Sequence, residues 1–403
     1  MNLPYLTCDL PGTGGVIRKR LEDFRVQEVP LYDPCGEGSH VYFRVLKAGI
    51  STHVAVQRIA RHMHVRPTDI GFAGLKDAKA IATQMMSLEH ADAEKIAGYR
   101  DSQLEVVWTG RHVNKLRMGH LAGNRFQIRI RRIGDEQLRA AQDALNVLVQ
   151  RGAPNYFGPQ RFGLRGDTAE LGRALVRDDL QDFVELLLGR AKADDPVDCR
   201  AARDAFDAGY LDRALQQWPR HYVDQRRALS AYKRKHRPSQ ALAAVDKRMR
   251  RLYVSAFQSG IFNDVLKRRI QSIDQVFVGD LAKKTDTGGV FSVTDVDAEK
   301  QRVENFEISP TGPIPGYRSS LATGAPGEHE LAALSASGVS QGDFRRSGTL
   351  KIKGARRPLR MRLESPVICA GQDEHGQYIE LAFTLKSGCY ATAVLREIMK
   401  RDD

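Results

Sequence analysis

Residues 71–84 read GFAGLKDAKAIATQ and place a single carboxylate, Asp77, among small residues. Gly71 and Gly74 permit tight turns, and no bulky side chain follows Asp77 until Ile81, so a large substrate could reach it. A lone aspartate can act as a nucleophile or a general base. It can equally cap a helix or close a turn, and both alternatives stay open on this stretch alone. Without a second nearby carboxylate, a two-acid hydrolase arrangement is not indicated.

Two further stretches combine basic, aromatic and glycine residues in a way that suits nucleic acid. HVNKLRMGHLAGNRF (112–126) carries Lys115 and Arg117 before an aromatic, and PNYFGPQRFG (154–163) interleaves aromatics with Arg161. Basic side chains bind phosphates, and aromatic rings stack on bases. A hairpin loop and an ordered interdomain loop explain the same two patterns equally well.

The charge balance favours a polyanionic partner. The chain has 403 residues, with 62 Lys and Arg against 49 Asp and Glu, a net charge of +13. Nucleic acid is the commonest large polyanion in a cell. The segment 220–251 is basic throughout and is expected to line a nucleic-acid groove, although such runs are often solvated helix faces. No basic amphipathic helix with a bulky apolar face is found, so a membrane surface is not indicated.

The cysteine pattern and the N-terminus bear on location. The five cysteines are scattered, without C-x-x-C or Cys/His ligand spacing, so neither a disulfide framework nor a zinc site is predicted. The start MNLPYLTCDLPGTGG lacks the apolar run of a signal peptide, and no stretch is long enough to span a membrane. We expect a cytoplasmic protein.

Hydrophobic periodicity predicts an α+β fold. Residues 40–49 and 124–133 alternate as strands, with Phe126 on the inner face of the second. Residues 136–152 form an amphipathic helix that stops at a glycine. The predicted secondary structure then changes: residues 168–270 are expected to be mostly helical, and strand-like segments return later in the chain.

Taken in order along the chain, six stretches resemble the TruD family of tRNA pseudouridine synthases. The similarity covers nearly the whole sequence and includes a near-complete GxKDxxAxTxQ and NYFGxQRFG. The stretches are LEDFRVQEV (21–29), GFAGLKDAKAIATQ, HVNKLRMGHLAGNRF, APNYFGPQRFG, SAFQSGIFND (255–264) and FTLKSGCYATAVLRE (383–397).

The resemblance implies that Asp77 is the catalytic residue. In this family, uracil is detached from C1′ of its ribose, turned, and rejoined through C5, by one aspartate and without a metal or organic cofactor. Whether the aspartate adds to C6, attacks C1′ or assists a glycal route stays open. Arg18 matches the family's basic residue beside the aspartate and would stabilise its ionised form. Lys76 is the weaker candidate, because neighbours on an extended chain point to opposite sides.

The resemblance also implies a pocket for a flipped uridine. Phe126 matches the aromatic that stacks on the base, and Asn124 matches a polar substrate contact. Phe24 and Phe383 match further pocket residues, although they lie near opposite ends of the chain. The small residues around Asp77 are expected to leave room for the base: Gly71, Gly74, Ala78 and Ala80.

The implied architecture has two domains. A pseudouridine-synthase domain with a mainly antiparallel sheet is expected at 1–152 and 350–403, closed by both ends of the chain. A TruD-specific inserted α/β domain is expected at 153–349, with a positive RNA-binding cleft between the two. The implied substrate is uridine 13 in the D-arm of tRNA, acted on by a monomer. A non-catalytic RNA-binding or RNA-chaperone protein, and an enzyme acting on a small nucleotide, are the alternatives.

Overall fold

The computed structural model describes residues 3–346 and 352–401. The chain divides into two compact units, one formed by Tyr5–Ala153 with Met361–Asp403 and the other mainly by Pro154–Arg360. The sequence predicted divisions at 152/153 and 349/350, so the second boundary lies further along the chain than expected. The first unit contains Asp77 and is therefore described in more detail.

Fourteen strands and fourteen helices lie within the described residues. The strands are β1 Phe24–Pro30, β2 His40–Ala48, β3 Gly71–Phe72, β4 Ile81–Glu89, β5 Leu104–His112, β6 Leu121–Arg131, β7 Ala153–Pro154, β8 Leu281–Lys284, β9 Val290–Ser292, β10 Ile308–Ile314, β11 Ala355–Pro358, β12 Arg360–Met361, β13 Glu364–Asp373 and β14 Gly376–Lys386. The helices are α1 Thr52–Met63, α2 Ala93–Ala97, α3 Asp135–Arg151, α4 Thr168–Arg177, α5 Leu180–Leu188, α6 Val197–Asp207, α7 Leu211–Gln217, α8 Val223–Lys235, α9 Pro238–Ala244, α10 Lys247–Arg268, α11 Val296–Glu304, α12 Gly324–Ala336, α13 Asp343–Arg346 and α14 Ala391–Met399.

An eight-stranded sheet forms the centre of the first unit. Its order is β13-β14-β6-β1-β4-β2-β5, and β3 pairs with β4 outside this path. The β1–β4 pair is parallel, and the other pairs are antiparallel. The predicted α+β fold with a mainly antiparallel sheet is therefore confirmed.

The sheet is built from strands whose side chains alternate between a buried and a more exposed face. In β6, Phe126, Ile128 and Ile130 are buried, as the period of two predicted. In β2, Val41 and Val45 point to the same buried face and pack in one apolar cluster with α1. Helix α1 begins after Ser51, whose side chain accepts a hydrogen bond from the backbone N–H of Val54.

The two ends of the chain meet within this unit. The backbone N–H and the hydroxyl of Thr7 donate to Oε2 of Glu397 at 3.0 and 2.8 Å. The backbone N–H groups of Thr13 and Gly14 donate to the last carbonyls of α14. A C-terminal strand and helix are thus an integral part of the unit, in contact with the first residues of the chain.

Arg131 at the end of β6 joins three distant segments. Its Nε donates to Oδ1 of Asp23 at 2.7 Å, and its two terminal nitrogens bind both oxygens of Asp373 at 2.9 and 2.7 Å. Arg131 is 3% exposed and Asp23 is fully buried. The guanidinium of Arg131 lowers the pKa of Asp373 well below its usual range.

The second unit is mainly helical, with a small antiparallel sheet in the order β11-β10-β8-β9. Helix α4 packs against the long helix α10, and Trp218 lies in the core that these helices share with α5 and α6. The basic segment 220–251 covers α8, α9 and the start of α10. It is therefore helical, as its Ala, Leu and Arg content predicted.

We expect Arg131→Met to lower the free energy of unfolding by about 3–5 kcal/mol, because it leaves the buried carboxylate of Asp23 without its cation. Arg129→Met is the matched control: Arg129 is on the same strand and pairs with Glu380 and Asp373, but these side chains are about a fifth to a quarter exposed, so its removal should cost less. Urea unfolding measures both variants, and equal losses would contradict a special importance of Arg131.

The pair between Arg131 and Asp373 also predicts a pH dependence. Because the folded-state pKa of Asp373 is lowered, its contribution to stability is present at neutral pH and is lost as the pH falls through that pKa. The stability difference between the wild type and Asp373→Asn should therefore shrink below about pH 4, the unfolded-state pKa of an aspartate. A constant difference across this range would contradict the ion pair.

Candidate active site

Asp77 lies on the loop 73–80 between β3 and β4. Its side chain is 49% exposed, whereas Ala73 and Ala80 at the two ends of the loop are fully buried. The ends of the loop are therefore held in the core, and its tip presents a carboxylate to solvent.

The small residues near Asp77 do not all border open space. A Cβ atom at Gly71 would lie 2.2 Å from the carbonyl oxygen of Leu116, so this glycine permits close approach of another backbone. Ala80 is buried in the core. The expectation that these two residues leave room for a base is wrong, because protein atoms already fill that space. Ala78 is exposed and Gly74 is partly exposed.

Arg18 is the cation that contacts the carboxylate of Asp77. Its Nη2 donates to Oδ2 of Asp77 at 2.6 Å, and its guanidinium lies 4.1 Å from the centroid of the Phe24 ring. Arg18 has a φ of 56°, in the left-handed region that is costly for a residue with a Cβ. The contact of a charged guanidinium with both a carboxylate and a ring fixes the direction of the Asp77 side chain.

Lys76 points away from the carboxylate of its neighbour. Its Nζ lies 2.6 Å from Oε2 of Glu28, and both side chains are almost completely buried. The backbone N–H of Lys76 donates to the hydroxyl of Thr52 at 2.9 Å. Lys76 therefore anchors the loop to β1 and α1, and the pair that involves Asp77 itself is the one with Arg18.

A second lysine, which the sequence analysis did not single out, holds the backbone of the loop. The buried Nζ of Lys47 donates to the carbonyl oxygens of Ile50 at 2.7 Å, Asp77 at 2.8 Å and Lys76 at 3.4 Å. Burial lowers the pKa of Lys47 to about 8, against the opposing attraction of the Asp77 carboxylate. The signal in the sequence was a charged residue on the inward phase of HVYFRVLKA.

A further hydrogen-bond chain fixes the start of the loop. The hydroxyl of Thr52 donates to Oε1 of Gln84 at 3.0 Å, and Nε2 of Gln84 donates to the carbonyl oxygen of Gly74. The loop is thus held at residues 74, 76 and 77 by polar side chains from β1, β2, β4 and α1. Such contacts keep a catalytic group in one position without using the group itself.

The register of the sheet brings the predicted pocket residues together. Phe126 lies opposite Val26 on one side and opposite Phe383 on the other, so the side chains share a face. The ring centroids of Phe24 and Phe126 are 6.2 Å apart, and those of Phe126 and Phe383 are 5.6 Å apart. Phe126 is 8% exposed, Phe24 2% and Phe383 1%. Their binding of a base stays a prediction.

Asn124 lies on the same face, two residues before Phe126 and directly opposite Glu28 and Leu385. Its Oδ1 is shielded from solvent and has no hydrogen-bond partner among the described residues. A buried acceptor without a partner costs about 1–3 kcal/mol. Its amide therefore has hydrogen-bonding capacity that the protein itself leaves unused.

The described parts of the chain hold neither a metal-binding cluster nor a membrane-spanning helix. No group of three or more His, Cys, Asp or Glu side chains is arranged to hold a metal ion within residues 3–346 and 352–401. No helix in these ranges has both the length and the apolar character needed to cross a membrane.

Known proteins are similar to this chain along nearly its whole length. Residues 1–398 match the family profile of tRNA pseudouridine synthase D (TruD). A tRNA pseudouridine synthase D from Geobacter sulfurreducens is 42% identical over 398 residues, covering 98% of this chain and 97% of the relative. One from Anaeromyxobacter dehalogenans is 38% identical over 403 residues, covering 100% and 97%.

A solved structure gives the same result for the fold. The crystal structure of a candidate tRNA pseudouridine synthase D (TruD) from Methanosarcina mazei is similar at a TM-score of 0.86 and 30% identity, covering 100% of this chain and 96% of that one. The profile, the relatives and the solved structure together show that this chain belongs to the TruD family of tRNA pseudouridine synthases, which are isomerases.

Proposed function

We propose that this protein converts uridine 13 in the D-arm of tRNA to pseudouridine, with Asp77 as the acidic residue that acts on the nucleotide. The observation that carries the proposal is the half-exposed carboxylate of Asp77, 2.6 Å from the guanidinium of Arg18 on a loop held by buried polar groups. The net charge of +13 suits an RNA substrate.

The reaction requires the N1–C1′ bond to break and a C5–C1′ bond to form, after which C5 loses its proton and N1 gains one. Addition to C6, attack on C1′ and a glycal route all begin with an ionised carboxylate beside the nucleotide. In our proposal the ion pair with Arg18 orients this carboxylate toward the nucleotide. The hydrogen bonds of Lys47 to the loop backbone keep the carboxylate from moving as the base turns.

In the proposed complex the flipped uracil contacts Asn124 and Phe126. An amide can donate to a carbonyl oxygen of uracil and accept from its N3–H, and the buried Oδ1 of Asn124 is available for this. Phe126 supplies an apolar surface next to this amide, since the two residues are on one face of β6. Phe24 and Phe383 support the ring of Phe126 from either side.

We also propose that the protein works as a monomer in the cytoplasm. All five cysteines lie among the described residues and none forms a disulfide, which suits a reducing compartment. Size-exclusion chromatography with light scattering measures the oligomeric state directly.

Asp77→Asn is expected to lower the single-turnover rate of pseudouridine formation by roughly 10²–10⁴-fold or more, because an amide cannot replace the carboxylate in any of the three routes. Binding of tRNA should change little, because the two side chains have the same size. The assay is to incubate unmodified tRNA with each protein and map pseudouridine by position.

Asp69→Asn is the control, since Asp69 is nearby in the sequence but pairs with Arg66. Full activity in Asp77→Asn would remove Asp77 from the mechanism, and no pseudouridine from the wild type would favour an RNA-binding protein without catalysis. Pseudouridine at another position would contradict uridine 13. Turnover of UMP would favour an enzyme acting on a small nucleotide.

We expect the rate of pseudouridine formation to fall at alkaline pH because Lys47 loses its proton there. As the pH rises through about 8, Lys47 loses the proton that lets it bind three carbonyl oxygens, so the rate should fall with a midpoint near that value. Lys47→Met should be slow at every pH and lack this fall, whereas Lys79→Met, an exposed lysine on the same loop, should keep it. A wild-type rate that is flat beyond pH 9 would contradict the role of Lys47.

The stability of the protein should change in the opposite direction over the same range. The folded-state pKa of Lys47 is lowered, so the unfolded chain binds more protons between about pH 8 and the usual lysine pKa near 10.4. Lys47 therefore makes the protein more stable as the pH rises through this window, and Lys47→Met should remove that contribution. Urea unfolding at several pH values distinguishes this effect on stability from the effect on rate.

The affinity for tRNA should depend steeply on salt. A protein that contacts six to ten phosphates loses roughly 10³–10⁵-fold in affinity between about 50 and 200 mM salt, because bound counterions are released. Filter binding of unmodified tRNA over this range measures the effect. An affinity that is independent of salt would contradict a phosphate-binding surface.

A further inference from the structure

A cavity of about 380 Å³ lies in the first unit, between the segment after β1 and the β5–β6 loop. Its volume falls in the range of small-ligand sites, about 300–1,000 Å³. Seven residues line it: Tyr32, Asp33, His112, Asn114, Lys115, Arg117 and His120. Asp77, Arg18 and the aromatic residues of the candidate active site are not among them.

The wall of this cavity is a preformed aromatic and imidazole cluster. The rings of Tyr32 and His112 are stacked with centroids 5.0 Å apart, and the buried Tyr42 meets His112 edge-on at the same distance. The hydroxyl of Tyr32 lies 2.9 Å from Nδ1 of His120 and 3.3 Å from the hydroxyl of Tyr42. The backbone N–H of Cys35 donates to Nδ1 of His112 at 3.3 Å. These contacts hold the rings in place before any ligand arrives.

The polar groups around the rings suit a nucleotide better than a simple anion. Arg117 is exposed, and its guanidinium forms no ion pair or hydrogen bond with the described residues. Lys115 donates to the carbonyl oxygen of Thr68 and retains further donors. Both can bind a phosphate, whereas the carboxylate of Asp33 would repel one and instead accepts from hydroxyl or amine groups, as a ribose or base provides.

The cavity and the Asp77 loop are parts of one structure. The backbone N–H of Gly119 donates to the carbonyl oxygen of Ala73 at 2.8 Å, four residues before Asp77. Leu116 and Leu121 pack in one apolar cluster with Ala73. Asn124 lies four residues beyond His120, and β6 begins at Leu121, so the two are about 14 Å apart along the chain. The loop that lines the cavity is therefore hydrogen-bonded directly to the first residue of the loop that carries Asp77.

We propose that this cavity binds a second nucleotide of the RNA substrate, one that is not isomerised, with its base against Tyr32 and His112 and its phosphate at Lys115 and Arg117. The inference rests on the proposed action on tRNA and adds a specificity site to it. RNA is recognised mainly through unstacked bases that lie on aromatic rings and are read by polar groups at their edges. A site next to the catalytic loop would select RNAs in which a second base can leave the stack.

The test compares tRNA affinity with the rate of the bound complex. Tyr32→Ala should weaken the Kd for unmodified tRNA by roughly 5- to 150-fold, the loss of one stacked base, with little change in the single-turnover rate at saturation. Tyr32→Phe retains the ring and should bind within about twofold of wild type, because stacking on a base does not need the hydroxyl. Thermal unfolding of both variants checks the fold directly.

A charge variant and its control complete the experiment. Arg117→Ala should weaken binding and lower the slope of log Kd against log salt by about 1, the change expected for one lost phosphate contact. Arg139→Ala removes the same charge from an exposed position on α3 and should leave both unchanged. Photocrosslinking of tRNA that contains 4-thiouridine should label Tyr32 or His112.

The proposal fails if Tyr32→Ala and Arg117→Ala match Arg139→Ala in Kd and salt slope, or if crosslinks fall only outside residues 30–35 and 111–121. Binding of free UMP in the cavity, with unchanged tRNA affinity in the variants, would assign the cavity to a free nucleotide instead. Pseudouridine formation by the wild type is measured separately from these affinities, so failure of the cavity is distinguished from failure of the proposed function.

Discussion

The candidate active site depends on the register of five neighbouring strands. Lys47 lies opposite Ala82, Ala82 opposite Val26, Val26 opposite Phe126, and Phe126 opposite Phe383. This single row crosses β2, β4, β1, β6 and β14. A slip of one residue in any strand would turn its side chains to the other face of the sheet. The residues of the candidate site are therefore brought together only in this register. Arg131 helps to maintain it, because its bidentate contact with Asp373 joins the end of β6 to the hairpin that contains β14.

At Lys47, beneath the Asp77 loop, the cost of burying the ammonium exceeds the attraction of the groups around it. Removing the ammonium of Lys47 from water is unfavourable, and the Asp77 carboxylate and three carbonyl oxygens offset only part of that cost, since the pKa of Lys47 still falls to about 8. That value is nevertheless above neutral, so the ammonium stays charged under ordinary conditions. The loop is thus held by a group close to its own deprotonation, whereas Lys76 is secured by a full ion pair with Glu28.

The sequence predicted those features that follow from local pattern or from the family resemblance. The alternation around Phe126 predicted β6, and the resemblance predicted that Arg18 would lie beside Asp77. The cavity at Tyr32 could not be predicted, because it needs residues that are far apart in the chain and adjacent only in the folded sheet. Lys47 was missed because a lysine at the end of an apolar strand is normally solvated, and only the position of the loop above it shows its burial. Gly71 was misinterpreted for the same reason: the backbone that fills its open side belongs to another loop.

The three aromatic residues and Asn124 differ in how completely the protein itself packs or pairs them. Phe24, Phe126 and Phe383 bury one another almost completely, so little of their ring surface is open to any ligand. The shielded Oδ1 of Asn124 is in the opposite situation, because in the free protein it lacks a partner. Buried polar groups are almost always paired in native proteins. A ligand that donates to Asn124 would remove an existing cost as well as form a contact, so the amide rather than the rings would discriminate most strongly between a base that offers an N–H there and one that does not.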